Sequence, residues 1–279
     1  VSLSPSKLVG YQLAEFDKSS RLRVWLFFLQ LLLAVPAALS VVIVDETWLY
    51  ALAIAGGIGL VVWWLISIQY EKSRSAAQTA RRASLLSGAF AETFSAFELS
   101  ELRQRFTVTE EQAVAKENPD YYATKNAPGA SRLAEMLEES AFFTSELQDF
   151  SGRVMGVILA AFIVIAGVIG LSVGINLDRS ASMTFVRIIL SVFVFIMSSD
   201  MLGAFFKHLA AAAQTKAIRG RLATLQQRSA PLMDVLLVMT DYNAAVEAAP
   251  ESVPFAFNLR ERKLNARWAE YLADKAASD

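Results

Sequence analysis

VWLFFLQLLLAVPAALSVVIV, residues 24–44, is followed after the break Asp45-Glu46-Thr47-Trp48 by LYALAIAGGIGLVVWWLISI, residues 49–68. Neither run holds an acidic or basic side chain. The hydrocarbon core of a bilayer is about 30 Å thick and takes about 20 apolar residues in helix, so each run has spanning length and the break reads as a hairpin turn. The run from Val24 is too long for the apolar region of a cleaved leader, and it passes almost directly into the next. Two further runs of this kind are Val154–Ile175 and Phe185–Phe206. The rival for any single run is the core helix of a soluble protein; four at spanning length argue against it.

The expected fold is therefore an all-α membrane protein, with four transmembrane helices as two hairpins, a helical cytoplasmic insert and a C-terminal helical tail. Its parts are a cytoplasmic N-terminal helix (1–23), hairpin 1 (24–68), a cytoplasmic helical region (69–153), hairpin 2 (154–206) and a cytoplasmic tail (207–279).

Composition points the same way. The chain of 279 residues is 54% hydrophobic and only 19% charged, with a mean hydropathy of +0.39, whereas an ordinary soluble domain has about a quarter charged residues. The net charge of −1 gives no basic surface for DNA. Without a cysteine, and with His208 as the one histidine, thiolate zinc sites, iron–sulfur clusters and His-rich metal sites are excluded. No Walker, HExxH, GxSxG or kinase pattern occurs, so a non-enzyme with no catalytic residues, metal or bound cofactor is expected.

Lysines and arginines near the span ends set the orientation. Arg21 and Arg23 precede the first run, Lys72, Arg74, Arg81 and Arg82 follow the second, Arg153 abuts the third, and Lys207, Lys216, Arg219 and Arg221 follow the fourth. The first turn has no base, and the second, Asn176 to Thr184, has only Arg179. Both termini and the middle region are thus expected on the cytoplasmic side of a bacterial inner membrane, with Trp25, Trp63 and Trp64 near the inner interface and Trp48 and Tyr50 near the outer.

The third run carries a stripe of mostly small residues, Gly156, Ala160, Ile163, Gly167, Gly170 and Gly174. Such stripes let helix backbones approach closely in lipid, either within the chain or between chains. The fourth run is more polar. Arg187, Ser191 and Ser198 fall on one side, and Asp200, Gly203 and Lys207 on another. Asp200 lies about 10 Å in from Lys207 by helical rise. A carboxylate at that depth should face protein or water rather than lipid, as a pore-lining residue or as a structural partner of a base.

The polar regions read as helices. Gln69–Phe97 continues from the second run, with Leu86, Phe90, Phe94 and Phe97 at helical spacing. Thr109-Glu110-Glu111-Gln112 has capping-box spacing and starts a short helix through Glu117. Pro119 and Pro128-Gly129 bracket a loop carrying Tyr121, Tyr122 and Lys125. Ser131–Phe150 leads into the third run. After the fourth, helices are expected to about Ser229, from Pro231 to about Ala249, and from about Asn258 to Ala276.

Several of these segments carry a resemblance: Tyr11-Gln12-Leu13-Ala14-Glu15-Phe16-Asp17-Lys18, Ala91-Glu92-Thr93-Phe94, Asp241-Tyr242-Asn243, Ala249-Pro250, Val253-Pro254 and Leu264-Asn265 with Trp268. With the two-plus-two layout of spans, the chain resembles the SMODS-associated four-transmembrane proteins, pore-forming effectors found with oligonucleotide cyclases in bacterial anti-phage (CBASS) loci. The N-terminal helix departs from the family's pattern. The resemblance implies an oligomeric effector that permeabilises the inner membrane when a cyclase-made nucleotide appears.

A cyclic oligonucleotide needs cationic donors for its phosphates and flat faces for its bases. Candidates are Arg81, Arg82, Arg103, Arg105, Tyr121, Tyr122, Lys125 and Arg132, with Arg260 and Arg262 from the tail; the plainer reading for any one of them is a solvated surface residue. Two other classes remain open: a constitutive small-ion channel or transporter, and a non-conducting scaffold that holds a partner at the membrane.

Overall fold

The computed structural model describes residues 3–39, 45–174, 201–227 and 230–278. Among them every regular element is helical: α1 (Pro5–Leu39), α2 (Glu46–Phe90), α3 (Ala96–Arg105), α4 (Glu110–Val114), α5 (Ala130–Gly174), α6 (Met201–Gln226), α7 (Leu232–Ala248) and α8 (Ala256–Ser278). The chain divides into two compact units. Unit 1 gathers Val1–Ser20, Glu71–Ser151 and Lys207–Asp279; unit 2 gathers Arg21–Tyr70 and Gly152–Phe206.

Local chemistry accounts for where the helices start. The Ser4 hydroxyl accepts from the Lys7 N–H at 3.2 Å and Pro5 takes the first helical position, where its missing N–H costs nothing. Asp45 Oδ1 accepts from the N–H of Thr47 at 2.8 Å, capping α2. The Thr109–Gln112 capping box is present in both directions. The helix it opens is shorter than expected and ends at Val114, after which Lys116 and Glu117 close tighter turns onto Ala113 and Val114.

A second boundary also differs from expectation. The helix entering from the second apolar run stops at Phe90 rather than Phe97. Ala91 adopts a left-handed conformation (φ +54°), the Gly129 N–H takes the Ala89 carbonyl at 2.9 Å, and Ser95 caps a new helix by accepting from the Glu98 N–H. Phe94 therefore sits in a connection and Phe97 in α3, where it is exposed; the four aromatic and aliphatic residues do not form one helical stripe.

Unit 1 has two apolar clusters. One joins Leu85, Leu133, Met136, Leu137, Ile218, Leu222, Val235, Val238, Met239 and Tyr242 from α2, α5, α6 and α7. The other joins Leu3, Leu8, Tyr11, Ala80, Ala83, Leu102 and Ala113 from α1 to α4. Gly10 is required here, since a Cβ on it would lie 2.2 Å from the Ala113 carbonyl oxygen.

In unit 2 many apolar side chains point outward. Trp25, Phe28, Leu32, Ile54, Ile58, Val61, Trp64, Val157, Ile163 and Val168 are all exposed. Where α1 and α2 approach, Gly59 receives Leu33, whose Cδ2 lies 2.5 Å from the position of a glycine Cβ. Two of the described helices, α2 and the Ala130–Ile165 part of α5, are long and apolar enough to cross a membrane. Residues 40–44 and 175–200, which include the second expected turn and most of the fourth expected span, lie outside the described residues.

Candidate functional site

Buried polar groups in unit 1 are tied together across elements that are distant in sequence. Glu15 of α1 is fully buried, and its carboxylate accepts from Ser73 Oγ at 2.7 Å, from the N–H groups of Thr107 and Val108 at 2.5 and 3.0 Å, and from Thr107 Oγ1 at 2.7 Å. Charge-assisted bonds of this kind are the strong ones, and here they lock the α3–α4 connection onto α1 and α2.

A second group surrounds Arg81 of α2, which is 5% exposed. Its guanidinium lies 5.2 Å from the centre of the Tyr242 ring and donates to Asn243 Oδ1 at 3.3 Å. Ser84 Oγ donates to Gln12 Oε1 at 3.1 Å, and Gln12 Nε2 donates to the Tyr121 hydroxyl at 3.3 Å. Tyr121 and Tyr122 meet edge to face with ring centres 4.9 Å apart. Burial raises both phenols, that of Tyr121 to about 12. The structure thus buries Arg81 against α7, ties Tyr121 to α1, and leaves Tyr122 half-buried against Tyr121.

Two of the other basic candidates share an open cleft. Arg82 of α2 and Arg105 of α3 line a hollow of about 250 Å3 with Thr79, Phe94, Glu98 and Glu101. Phe94 supplies an aromatic face because α2 stops early. Arg82 reaches Glu247 at 3.5 Å. The two arginines match a phosphate's need for fixed donors, and the two glutamates bring the cleft to a balance of charge. The remaining bases are dispersed: Arg103 and Lys125 are exposed, Arg132 reaches toward the Asn126 carbonyl at 3.5 Å, Arg260 covers the Phe150 ring at 5.2 Å, and Arg262 is exposed.

The C-terminal helix is clasped to α5, a feature without a sequence signal. Glu138 is buried and accepts from Lys275 Nζ at 2.8 Å, from Gln226 Nε2 at 3.0 Å and from the Tyr271 hydroxyl. Burial and the Glu138 carboxylate raise the Tyr271 phenol. Arg267 pairs with Glu146 at 2.5 Å, Trp268 packs on Phe142 with ring centres 5.1 Å apart, and Arg219 of α6 lies 5.5 Å from both the Phe142 and Tyr271 rings. Beside this clasp is a cleft of about 420 Å3 lined by Asn126, Ser131, Glu135, Gln226, Asp274 and Lys275, among others. None of the ten basic or tyrosine candidates lines it.

In unit 2, a Cβ at Gly156 would meet Phe205 at 3.0 Å, while among the described residues Gly167 has nothing within 4 Å and Ile163 is exposed. Gly170 and Gly174 continue the α5 backbone. Arg187, Ser191, Ser198 and Asp200 lie outside the described residues, and Lys207 is exposed on α6. No group of three metal-ligating side chains occurs among the described residues.

Together these features define an all-helical protein with two helices long and apolar enough to cross a membrane. No family model, curated protein or solved structure matches the chain.

Proposed function

We propose that the protein is a multi-pass effector of the bacterial inner membrane, with four spans in two hairpins and cytoplasmic termini, which oligomerises and permeabilises the bilayer in response to a cyclase-made nucleotide. The observation that carries this reading is the double character of α2 and α5. Each is 45 residues long, with one half packed in unit 1 and the other half in unit 2, presenting apolar side chains outward. A continuous helix is stiff, so a change in how unit 1 packs is transmitted along α2 and α5 to their apolar halves.

The cleft of Arg82, Arg105 and Phe94 is the reading's best nucleotide site: two guanidinium groups for phosphate and one ring for a base. In such an oligomer a second copy would pack on the α5 stripe, and a ring of Asp200 carboxylates would favour cations. A scaffold without conduction is supported by one specific observation, the internal engagement of Arg81 and Tyr121.

Membrane potential, followed with a dye in cells, separates the readings. Collapse is expected only when an active cognate cyclase is co-expressed, and Arg82→Gln with Arg105→Gln should abolish it while leaving the amount of membrane-inserted protein unchanged. Collapse without the cyclase would establish a constitutive channel, and no collapse under either condition a scaffold. Under the effector reading, Asp200→Asn shifts the reversal potential of the open state toward anions.

A further inference from the structure

The segment between α7 and α8 is held by side chains of α1, α2 and α5. Arg74 donates to the Glu247 carbonyl at 2.9 Å and also to that of Ala249. Gln148 Nε2 donates to the Pro250 carbonyl at 2.9 Å. Ser19 Oγ donates to Glu251 Oε1 at 2.6 Å, and the Val253 N–H donates to Ser151 Oγ at 3.0 Å. Ser19 and Ser151 stand at the sequence ends of unit 1, where α1 and α5 run on into the apolar residues of unit 2. The 250–254 loop is therefore fastened to unit 1 beside the two points at which the chain leaves it.

Immediately after this loop the side chains turn outward. Ala256 is 1% exposed and plugs the surface, but Phe255 is 72% exposed and Leu259 is 75% exposed. Phe255 adopts a left-handed conformation (φ +64°), a costly one for an aromatic residue, and the fastened loop before it and the buried Ala256 after it hold it there. The Leu259 N–H donates to the Phe255 carbonyl at 3.0 Å, so the two side chains are one helical turn apart. Arg262 and Lys263, both exposed, follow at the next turn on that side. The opposite side of α8, through Ala256, Leu264 and Trp268, is buried.

We infer that Phe255 and Leu259 insert into the headgroup region of the bilayer from which the spans emerge, with Arg262 and Lys263 on anionic lipid phosphates. This rests on the membrane reading of unit 2 proposed above. An aromatic and a leucine followed one turn on by two bases is the composition of an interfacial anchor: apolar groups are buried about 5–10 Å into the boundary and cations lie against the headgroups. Position selects lipid over other occupants, because the loop leading into the patch is bonded to Ser19 and Ser151, next to the residues that lead into the apolar helices. An equally exposed apolar side chain, Met233, lacks that position. It precedes Ala249 by sixteen residues, about 24 Å along α7 by helical rise.

The absence of cysteine allows single spin labels. The full-length variants Leu259→Cys, Met233→Cys and Ile58→Cys are labelled and reconstituted into vesicles of phosphatidylcholine and phosphatidylglycerol. Collision with oxygen is then compared with collision with a water-soluble nickel chelate. The Ile58 and Leu259 labels should favour oxygen, with Leu259 the shallower, and the Met233 label should favour nickel. Phe255→Gly, which relieves the left-handed strain and so keeps the fold, should move the Leu259 label toward water. A Leu259 label that behaves like the Met233 label while Ile58 remains in lipid overturns the anchor and leaves the spans standing. An Ile58 label in water overturns the membrane reading and the anchor with it. Spin–spin broadening at Leu259 that disappears on dilution with unlabelled chain would show a second copy on the patch and also overturns the proposal.

Discussion

Unit 1 and unit 2 are built from some of the same helices and obey opposite rules. In unit 1, α2 buries Ala76, Ala77, Ala80, Ala83 and Leu85, and its polar residues Ser73 and Ser84 find buried partners at 2.7 and 3.1 Å. In unit 2 the same helix turns Ile54, Ile58, Leu60, Val61, Trp64 and Leu65 outward. A soluble protein rarely exposes a contiguous apolar surface of that extent. The difference teaches that the helix itself is indifferent to its solvent. Backbone hydrogen bonds are closed in both halves, and only the side chains record whether water, protein or lipid is to surround them.

The largest effect that would test this contrast lies at Glu15. Glu15→Leu strands the Thr107 and Val108 N–H groups in a buried place, and a loss of about 4 kcal/mol is expected from the unmade bonds, read as a collapse of unit 1's thermal transition in detergent. A loss within the error of melting would mean that the polar lock does not distinguish unit 1. Next comes Ile58→Lys in unit 2. On a soluble surface such a change is nearly neutral, whereas a lysine at the centre of a span costs about 3 kcal/mol. A large drop in membrane-extractable protein is expected, with Met233→Lys in unit 1 as the silent counterpart. Equal yields for both would erase the contrast.

A pair of glycines sharpens the comparison at smaller scale. Gly10→Ala forces a methyl group onto the Ala113 carbonyl and should cost about 2 kcal/mol through overpacking. Gly57→Ala meets nothing within 4 Å among the described residues and should be neutral or slightly stabilising, since glycine weakens a helix interior by about 0.5–1 kcal/mol. Denaturation of the two variants side by side checks this. The smallest effect concerns pH. Burial, with the nearby Glu135 adding, raises the Glu139 carboxyl above its ordinary value despite the Ala123 N–H that it accepts. Just above that ordinary value the folded protein holds a proton that the unfolded chain has released. Stability attributable to this group therefore falls as pH rises through the window and returns on acidification. Glu139→Gln, which keeps an acceptor for Ala123, should flatten that part of the melting-temperature profile; an unchanged slope would remove Glu139 as its source.

Much of the architecture of unit 1 was legible because its signals are local. The Thr109–Gln112 box, Pro231 before α7 and the loop between Pro119 and Gly129 each depend on residues within a turn of one another. The end of α2 was not legible in the same way. Phe94 and Phe97 continue the helical spacing of Leu86 and Phe90, but a left-handed Ala91 and a hydrogen bond from Gly129, forty residues on, terminate the helix first.

The candidate site divides along the same line. Sequence by itself determined that long apolar helices are present, that thiolate and His-rich metal sites are excluded, and which arginines and tyrosines are available to a nucleotide. Tertiary structure alone decided which of them meet: Tyr121 and Tyr122 pack edge to face, Arg81 turns inward onto Tyr242, and Arg82 and Arg105 share a cleft with Phe94. It also revealed Glu15 and Glu138 as the polar ties of unit 1, though nothing in the neighbouring residues marks either glutamate as buried. Apolar runs and caps are properties of consecutive residues, whereas the partners of a buried charge come from helices far apart in the chain and exist only once those helices have packed.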